Sequence, residues 1–222
     1  MCRNILLALL VCFQCLTTRE LSATPKPHVV SFGNWTSVKW PDTTGQNLLN
    51  LKVRALFVDS RLKEYTTGNP HELTERLFVV RRAFRVNDAL PAENAPRWQW
   101  QRGGWLLVDR ATGRVSALSL PQFDAYYSAA SWYRDYVAYC GVSEDGKKVY
   151  AVVAQVGRRK PILNKALGEA AGGDEPDSEC PVPVWERSPA RVTFQPGDAK
   201  VVFSIRGRVV DVVNDAEEEA EE

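Results

Sequence analysis

The chain has 222 residues, of which 45% are apolar and 25% are charged, and its formal net charge is +1. This length suffices for one substantial hydrophobic core, and the apolar share excludes a wholly disordered chain. The near-zero charge argues against a nucleic-acid binder that depends on a large positive field. Seven Trp, seven Tyr and eight Phe favour strands over helices.

The charges are unevenly distributed along the chain. Without residues 1–23, 26 basic and 26 acidic residues remain. Six of those acids lie in residues 214–222, which we predict to be a disordered acidic tail. The body before the tail is therefore basic, and the tail either solvates the chain or screens a basic face.

The first 23 residues have the pattern of an export signal. Arg3 provides a short basic start, residues 5–13 are apolar, and Ala23 is the small residue expected before cleavage. We predict a signal peptide over 1–23 and a periplasmic or extracellular mature chain. The apolar stretch is shorter than the ~20 residues of a membrane-spanning helix, so no transmembrane segment is expected. A buried N-terminal helix is the alternative, which the following Thr-Pro-Lys-Pro sequence disfavours.

Three of the five cysteines lie in the predicted signal peptide. Lipid attachment at Cys12 or Cys15 is disfavoured, because the residue before each of them is not small. The mature chain keeps Cys140 and Cys180, and an even pair in an exported protein predicts a disulfide bond. Two cysteines with no histidine nearby do not indicate a zinc site.

From residue 29 onwards, short apolar runs and apolar–polar alternation are separated by turn residues. This pattern predicts an all-β fold of short antiparallel strands, as a β-sandwich or as propeller-like blades. We expect one domain over 24–213 with a flexible loop at 166–188. Segment 75–87 also has helical spacing, but its alternation favours a strand. The predicted strands are 29–40, 49–58, 62–66, 75–87, 97–101, 104–109, 114–119, 129–134, 136–142, 148–155, 160–165, 190–195, 201–205 and 208–213.

Turns between these strands contain glycine where a hairpin needs a positive φ. Gly113 ends the Asp-Arg-Ala-Thr-Gly turn, and Gly146 lies in the Glu-Asp-Gly-Lys turn. The Pro-Gly-Asp sequence at 196–198 separates two further predicted strands.

Residues 126–167 run strand, strand, Asp-Gly turn, strand, strand, and resemble one blade of a β-propeller of the WD or periplasmic kind. The preceding WLLVDRATGRVSAL resembles the outer hairpin of a blade, and RVTFQPGDAKVVFSI the start of another. The resemblance implies about four blades of ~40–45 residues each. The whole chain also resembles a family of uncharacterised exported bacterial β-proteins, and this second resemblance implies no activity.

The sequence contains no nucleophile elbow, zinc-protease motif, phosphate loop or dinucleotide fingerprint. No catalytic residue, cofactor or metal is therefore predicted. Asp109, Asp124 and Asp135 lie near strand ends, where a pair of hydrolytic carboxylates would sit, but Asp109 already has a role in its turn. His28 and His71 are expected in loops without a functional partner.

Aromatic residues are the strongest candidates for binding. Trp98 and Trp100 share one face of a predicted strand, and Tyr residues cluster after position 125. Such rings stack on sugars or anchor protein partners, although they also fill the cores of small β-folds. The candidate ligand-binding residues are Trp98, Trp100, Trp105, Tyr126, Tyr127, Trp132 and Tyr133.

The basic groups at Arg81, Arg82 and Arg85 and at 158–160 are interpreted mainly as solvated strand faces, with an anion site as the alternative. Taken together, the sequence predicts a non-catalytic, extracytoplasmic binding domain of the bacterial envelope. An envelope protein is the expected partner. The alternative is a glycan-binding or glycan-processing domain that uses surface Trp and Tyr.

Overall fold

A computed structural model describes residues 26–41, 47–91, 95–169, 180–197, 199–206 and 209–213. The predicted signal peptide with Cys12 and Cys15, the acidic tail and residues 170–179 of the predicted loop lie outside this part of the chain. Strands are the regular elements of the described residues. None of the described residues belongs to a helix long and apolar enough to cross a membrane. The predicted all-β antiparallel fold is confirmed.

The first sheet contains seven strands, in the order β1-β3-β4-β5-β6-β7, with β2 also pairing with β3. The predicted strand 29–40 is interrupted at 33–35, so β1 and β2 occupy the same edge of β3. The bounds are β1 Val30–Phe32, β2 Thr36–Pro41, β3 Leu48–Val58, β4 Arg61–Glu72, β5 Leu77–Asn87, β6 Trp98–Asp109 and β7 Arg114–Leu118.

Both faces of this sheet bury apolar residues. Because side chains alternate along a strand, Phe78 and Val80 of β5 lie on one face and Ala83 lies on the other. The first face carries a core with Leu56, Leu106 and Val108. The second carries a separate core, whose buried members are Trp40, Leu51, Val53 and Ala83.

The second and third sheets are four-stranded antiparallel meanders, in the orders β11-β10-β9-β8 and β12-β13-β14-β15. The second therefore has the strand order predicted for 126–167, while its resemblance to a propeller blade stays a prediction. The bounds are β8 Ser131–Tyr133, β9 Tyr136–Val142, β10 Lys148–Gln155, β11 Leu163–Glu169, β12 Val184–Arg187, β13 Ala190–Phe194, β14 Val201–Arg206 and β15 Val209–Val213.

The second sheet is buried on both of its faces. One face packs on the third sheet in a core of Ala138, Cys140, Ala151, Val153, Val192, Phe194, Phe203 and Ile205. The other face, with Val137 and Tyr139, packs on Leu120 and Phe123 of the segment that follows β7. Burial on both faces explains why β9 and β10 are continuous apolar runs rather than alternating ones.

Segment 119–130 joins the first sheet to the second. The Arg81 guanidinium of β5 donates from Nη2 to the Ala125 carbonyl at 2.6 Å. On the other side, Ser128 Oγ donates to the Cys140 carbonyl at 2.7 Å. Burial lowers the pKa of Arg81 to about 10, so the group stays charged at neutral pH and holds the segment with charge-assisted hydrogen bonds.

The predicted disulfide is confirmed. Cys140 of β9 is bonded to Cys180, with 6.1 Å between the two Cα atoms. This separation lies in the usual range for disulfides. The bond attaches the chain that leads into β12 to the buried face of the second sheet.

Several element boundaries differ from those predicted. Segments 97–101 and 104–109 form one strand, because the pairing shifts between Arg81 and Ala83 and leaves Gly103-Gly104 as a bulge within β6. Both described ends of the predicted loop 166–188 contain strand, at the end of β11 and in β12. Residues 75–87 contain strand β5, as preferred, and Gly113 and Gly146 have the expected positive φ of 64° and 71°.

Candidate binding cleft

An open cleft of about 900 Å³ lies where the three sheets meet, and we call it the sheet-junction cleft. The end of β4 supplies His71 and Glu72 from the first sheet. Strand β8 and its turn supply residues 131–134 from the second sheet. The third sheet supplies the wall formed by 182–185 and 187–188.

Trp132 is at the centre of the aromatic wall. Its ring stacks on His71, with centroids 5.6 Å apart and planes inclined by 25°. Trp105 of β6 contacts the same ring edge-to-face at 5.0 Å. Since His71 and Trp105 belong to the first sheet and Trp132 to the second, these contacts help to fix the angle between the two sheets.

Tyr133 and Trp185 form the second ring pair of the cleft, with centroids 5.4 Å apart. Trp185 Nε1 donates to the Ser131 carbonyl at 3.1 Å, and the Tyr133 hydroxyl donates to the Arg187 carbonyl at 3.3 Å. These two bonds run in opposite directions between β8 and β12. They connect the edge strand of the second sheet to that of the third.

Main-chain geometry at the β8–β9 turn orients the remaining polar groups. Arg134 has a φ of 53°, and its carbonyl oxygen lies 2.7 Å from Nε2 of His71. Because a carbonyl only accepts, Nε2 carries the proton and donates here. The Arg134 guanidinium lies 5.3 Å from the Tyr133 ring centroid.

The acid of the cleft, Glu72, is paired with Arg110 of the β6–β7 turn. Its two carboxylate oxygens each accept a hydrogen bond of 2.7 Å from the guanidinium. The hydrogen bonds from Arg110 lower the pKa of Glu72, so it is ionised and compensated at neutral pH.

A smaller pocket of about 300 Å³ lies beside the disulfide and is lined by Tyr126, Tyr127 and Cys180, among others. Tyr127 is 55% exposed, whereas Tyr126 stacks on Trp40 at 6.1 Å. The pocket shares Val182 with the sheet-junction cleft. Residue 182 therefore separates two concave surfaces on the same wall.

Trp98 and Trp100 occupy a different surface, on the β4–β6 part of the first sheet. Trp100 contacts Tyr65 edge-to-face at 5.1 Å. The Arg85 guanidinium lies 5.4 Å from the Trp100 centroid and 5.6 Å from that of Trp98. We call these four residues, Tyr65, Arg85, Trp98 and Trp100, the aromatic platform; Trp98 is its most exposed ring, at 56% exposure.

The seven predicted binding residues are thus divided among three places. Trp132 and Tyr133 line the cleft, and Trp105 supports it. Tyr126 and Tyr127 line the smaller pocket, and Trp98 and Trp100 form part of the platform. Trp105 contacts Trp132 of the cleft, whereas Trp100 contacts Tyr65.

Sequence reasoning missed His71 and Trp185. His71 was expected in a loop without a partner, but it lies in β4 and contacts Trp132 and Arg134. Trp185 falls within the predicted flexible loop. The sequence PVPVWERSPARVTF, a strand followed by a Ser-Pro turn and another strand, was the available signal for it.

The three candidate carboxylates have hydrogen bonds that explain their positions. Asp109 accepts from Arg76 Nε at 2.7 Å and from the main chain of its turn. Asp124 accepts from the main-chain N–H of Tyr126 at 2.6 Å. Asp135 accepts from the side chain of Gln155 at 2.8 Å. The described residues bring together no three His, Cys, Asp or Glu side chains in a group that could hold a metal ion.

Comparison with known proteins gives no family assignment: no family model, curated protein or solved structure matches the chain.

Proposed function

We propose that this chain is an exported, non-catalytic binding module of the bacterial envelope, and that it binds a protein partner in the sheet-junction cleft. One observation carries the proposal: all three sheets contribute side chains to a single open cleft lined by Trp, Tyr and Arg. These three residue types are enriched where protein partners bind most strongly.

The arrangement of the rings favours a protein over a sugar in this cleft. A sugar stacks on a free aromatic face, but His71 lies against the face of Trp132. Tyr133 and Trp185 are likewise packed against each other. Beside these packed rings lie Val182 and Val184, which are 53% and 63% exposed. An irregular surface of this kind suits the side chains of a protein.

Export is supported by the pattern of residues 1–23 and by the bond between Cys140 and Cys180. Disulfides persist in oxidising compartments such as the periplasm. A non-catalytic role is supported by the structural contacts of Asp109, Asp124 and Asp135, which accept hydrogen bonds from turn main chain or from Gln155.

Site-specific photo-crosslinking tests the proposal. A benzophenone amino acid is placed at Val184, on the cleft wall, and, as a matched control, at Leu62, which is also exposed but lies outside the cleft. We expect one protein adduct of defined mass from Val184 in the envelope fraction, and none from Leu62. The partner, identified by mass spectrometry and purified, should then bind the unmodified protein stoichiometrically.

Two results would contradict the proposal. Equal adducts from Val184 and Leu62 would indicate non-specific contact. The absence of any Val184 adduct, with a folded and exported protein, would remove the cleft as the binding surface.

The aromatic platform supports a second candidate, glycan binding. Trp98 is the most exposed tryptophan among the described residues and has Arg85 and Trp100 beside it. If the platform binds sugars, Trp98→Ala should abolish binding on an oligosaccharide array without lowering stability. Trp35→Ala, at an exposed tryptophan elsewhere on the sheet, is the control. An array that is blank for the unmodified protein would exclude this candidate.

A further inference from the structure

We infer that the partner enters the sheet-junction cleft through an acidic segment, whose carboxylates bind the guanidinium groups of Arg134 and Arg187. This inference rests on the proposed function, because it specifies the chemistry of the partner at that same cleft. It goes further by naming the two residues that determine specificity.

One tyrosine contacts both walls that carry the two arginines. Tyr133 lies under the Arg134 guanidinium and donates its hydroxyl proton to the Arg187 carbonyl. Arg134 follows β8 and Arg187 is the last residue of β12. A chain lying between these walls would therefore pass both guanidinium groups.

Neither guanidinium is paired with a carboxylate of the described residues, although both line the cleft. Glu72 lines it too, but both of its oxygens are bound to Arg110. The neighbouring Asp135 accepts from Gln155. Among the described residues, the charges facing the cleft therefore leave an excess of positive charge beside an aromatic wall.

This combination suits the carboxylates of a protein segment. A guanidinium matches the planar carboxylate with two parallel hydrogen bonds, and the ring under Arg134 limits its rotamers. The exposed Val182 and Val184 provide apolar contacts beside these charges. A segment that alternates Asp or Glu with apolar residues would satisfy both features.

The basic loop at Arg158, Arg159 and Lys160 provides the contrast. It carries three exposed cations, but its pocket is formed by the loop itself, with no aromatic residue in its lining. The loop attracts anions only through general electrostatics, which salt screens. It is a suitable control because the same number of charges can be removed there.

The test uses an array of random ten-residue peptides, probed with the full exported chain. We expect the bound peptides to be enriched in Asp and Glu over Lys and Arg. The double variant R134Q/R187Q should bind them about tenfold more weakly, because two exposed charge pairs are lost, each contributing a few-fold. R158Q/R159Q, with the same change in net charge, should retain at least half of the binding.

The outcomes separate the two proposals. Peptides that bind, compete with the Val184 crosslink and lack acidic enrichment would overturn the carboxylate inference and leave the proposed function standing. Equal losses in R134Q/R187Q and R158Q/R159Q would also overturn it, since net charge alone would then explain binding. An array without bound peptides would overturn the carboxylate inference as well. The inference would likewise be overturned if no peptide binds and oligogalacturonate, an acidic sugar, competes with the Val184 crosslink. In those last two cases the Val184 crosslink decides separately whether a protein partner exists.

Discussion

The sheet-junction cleft and the aromatic platform both combine rings with arginines, but they are assembled differently. The rings of the cleft come from all three sheets, and Trp132 contacts His71 and Trp105 across a sheet boundary. The rings of the platform come from neighbouring strands of one sheet, where Arg85 is directly opposite Trp100 in the β5–β6 pairing.

Because of this difference, folding and binding depend on the same residues in the cleft, whereas they can be separated in the platform. A platform residue can be removed while the sheet keeps its hydrogen-bonded ladder. A cleft residue also holds two sheets together, because Trp185 and Tyr133 provide the hydrogen bonds between β8 and β12. Substitutions in the cleft should therefore change stability and binding together, whereas substitution of the exposed Trp98 in the platform should change binding alone.

The disulfide should give the largest effect. The double variant C140S/C180S removes a bond across a sequence separation of 40. In the chain-entropy model such a loop stabilises by about 4 kcal/mol. Urea unfolding should show a loss of that order, and reduction of the unmodified protein should reproduce it. A loss below about 1 kcal/mol would show that the cleft wall is held by its other contacts.

The two tryptophans Trp132 and Trp98 test the comparison directly. Trp132→Ala should lower the free energy of unfolding by about 3 kcal/mol, because large aromatic truncations in packed positions have this size. Trp98→Ala, at a residue 56% exposed, should lower it by less than about 1 kcal/mol. Urea unfolding followed by circular dichroism measures both. Equal losses would mean that the platform tryptophan contributes as much to the free energy of unfolding as the cleft tryptophan does.

How far the sequence could predict these regions depends on the range of the interactions. The alternation of β5 and β6 predicts that Trp98 and Trp100 share a face, and the strand pairing places them together beside Arg85. The even cysteine count similarly predicts the bond between Cys140 and Cys180. These features depend on the alternation of side chains along a strand or on residue type.

The cleft could not be predicted in the same way, because it depends on how sheets dock. His71 and Trp132 are far apart in sequence and meet only through sheet packing. The Gly103-Gly104 bulge adds a residue to β6, so Trp105 lies on the same face as Trp100 despite its odd spacing. Simple alternation across residue 103 therefore assigns Trp105 to the wrong face of the sheet.

A substitution of Arg81 tests how the first sheet is joined to the second, since Arg81 holds the joining segment 119–130 on the first sheet. Arg81→Met keeps an unbranched apolar side chain but removes the guanidinium, so the Ala125 carbonyl loses this donor. We expect a loss of roughly 2 kcal/mol, the scale of a hydrogen bond to a charged group. Arg82→Met is the control, because Arg82 pairs with Glu64 on the other face of β5 and is 43% exposed. Equal effects in urea unfolding would contradict an anchoring role for Arg81.

The smallest expected effect is a pH dependence confined to the cleft. The hydrogen bonds from Arg110 lower the pKa of Glu72 in the folded state. A lowered pKa stabilises the fold at pH values above the unfolded-state value of about 4.3, and this contribution is lost as the pH falls through the folded-state pKa. The Glu72 side chain is 54% exposed, so solvent screening limits the contribution to about 1 kcal/mol or less.

Glu72→Gln should therefore be less stable than the unmodified protein at pH 7, and the difference should shrink as the pH is lowered from 5 to 3. Urea midpoints at each pH provide the measurement. Glu75→Gln, at an exposed neighbour with the same change in charge, is the control. A difference for Glu72→Gln that persists at pH 3 would mean that the carboxylate charge does not stabilise this end of the cleft. This edge of the cleft would then be held by the contact between Trp132 and His71 and by the hydrogen bond from His71 to the Arg134 carbonyl.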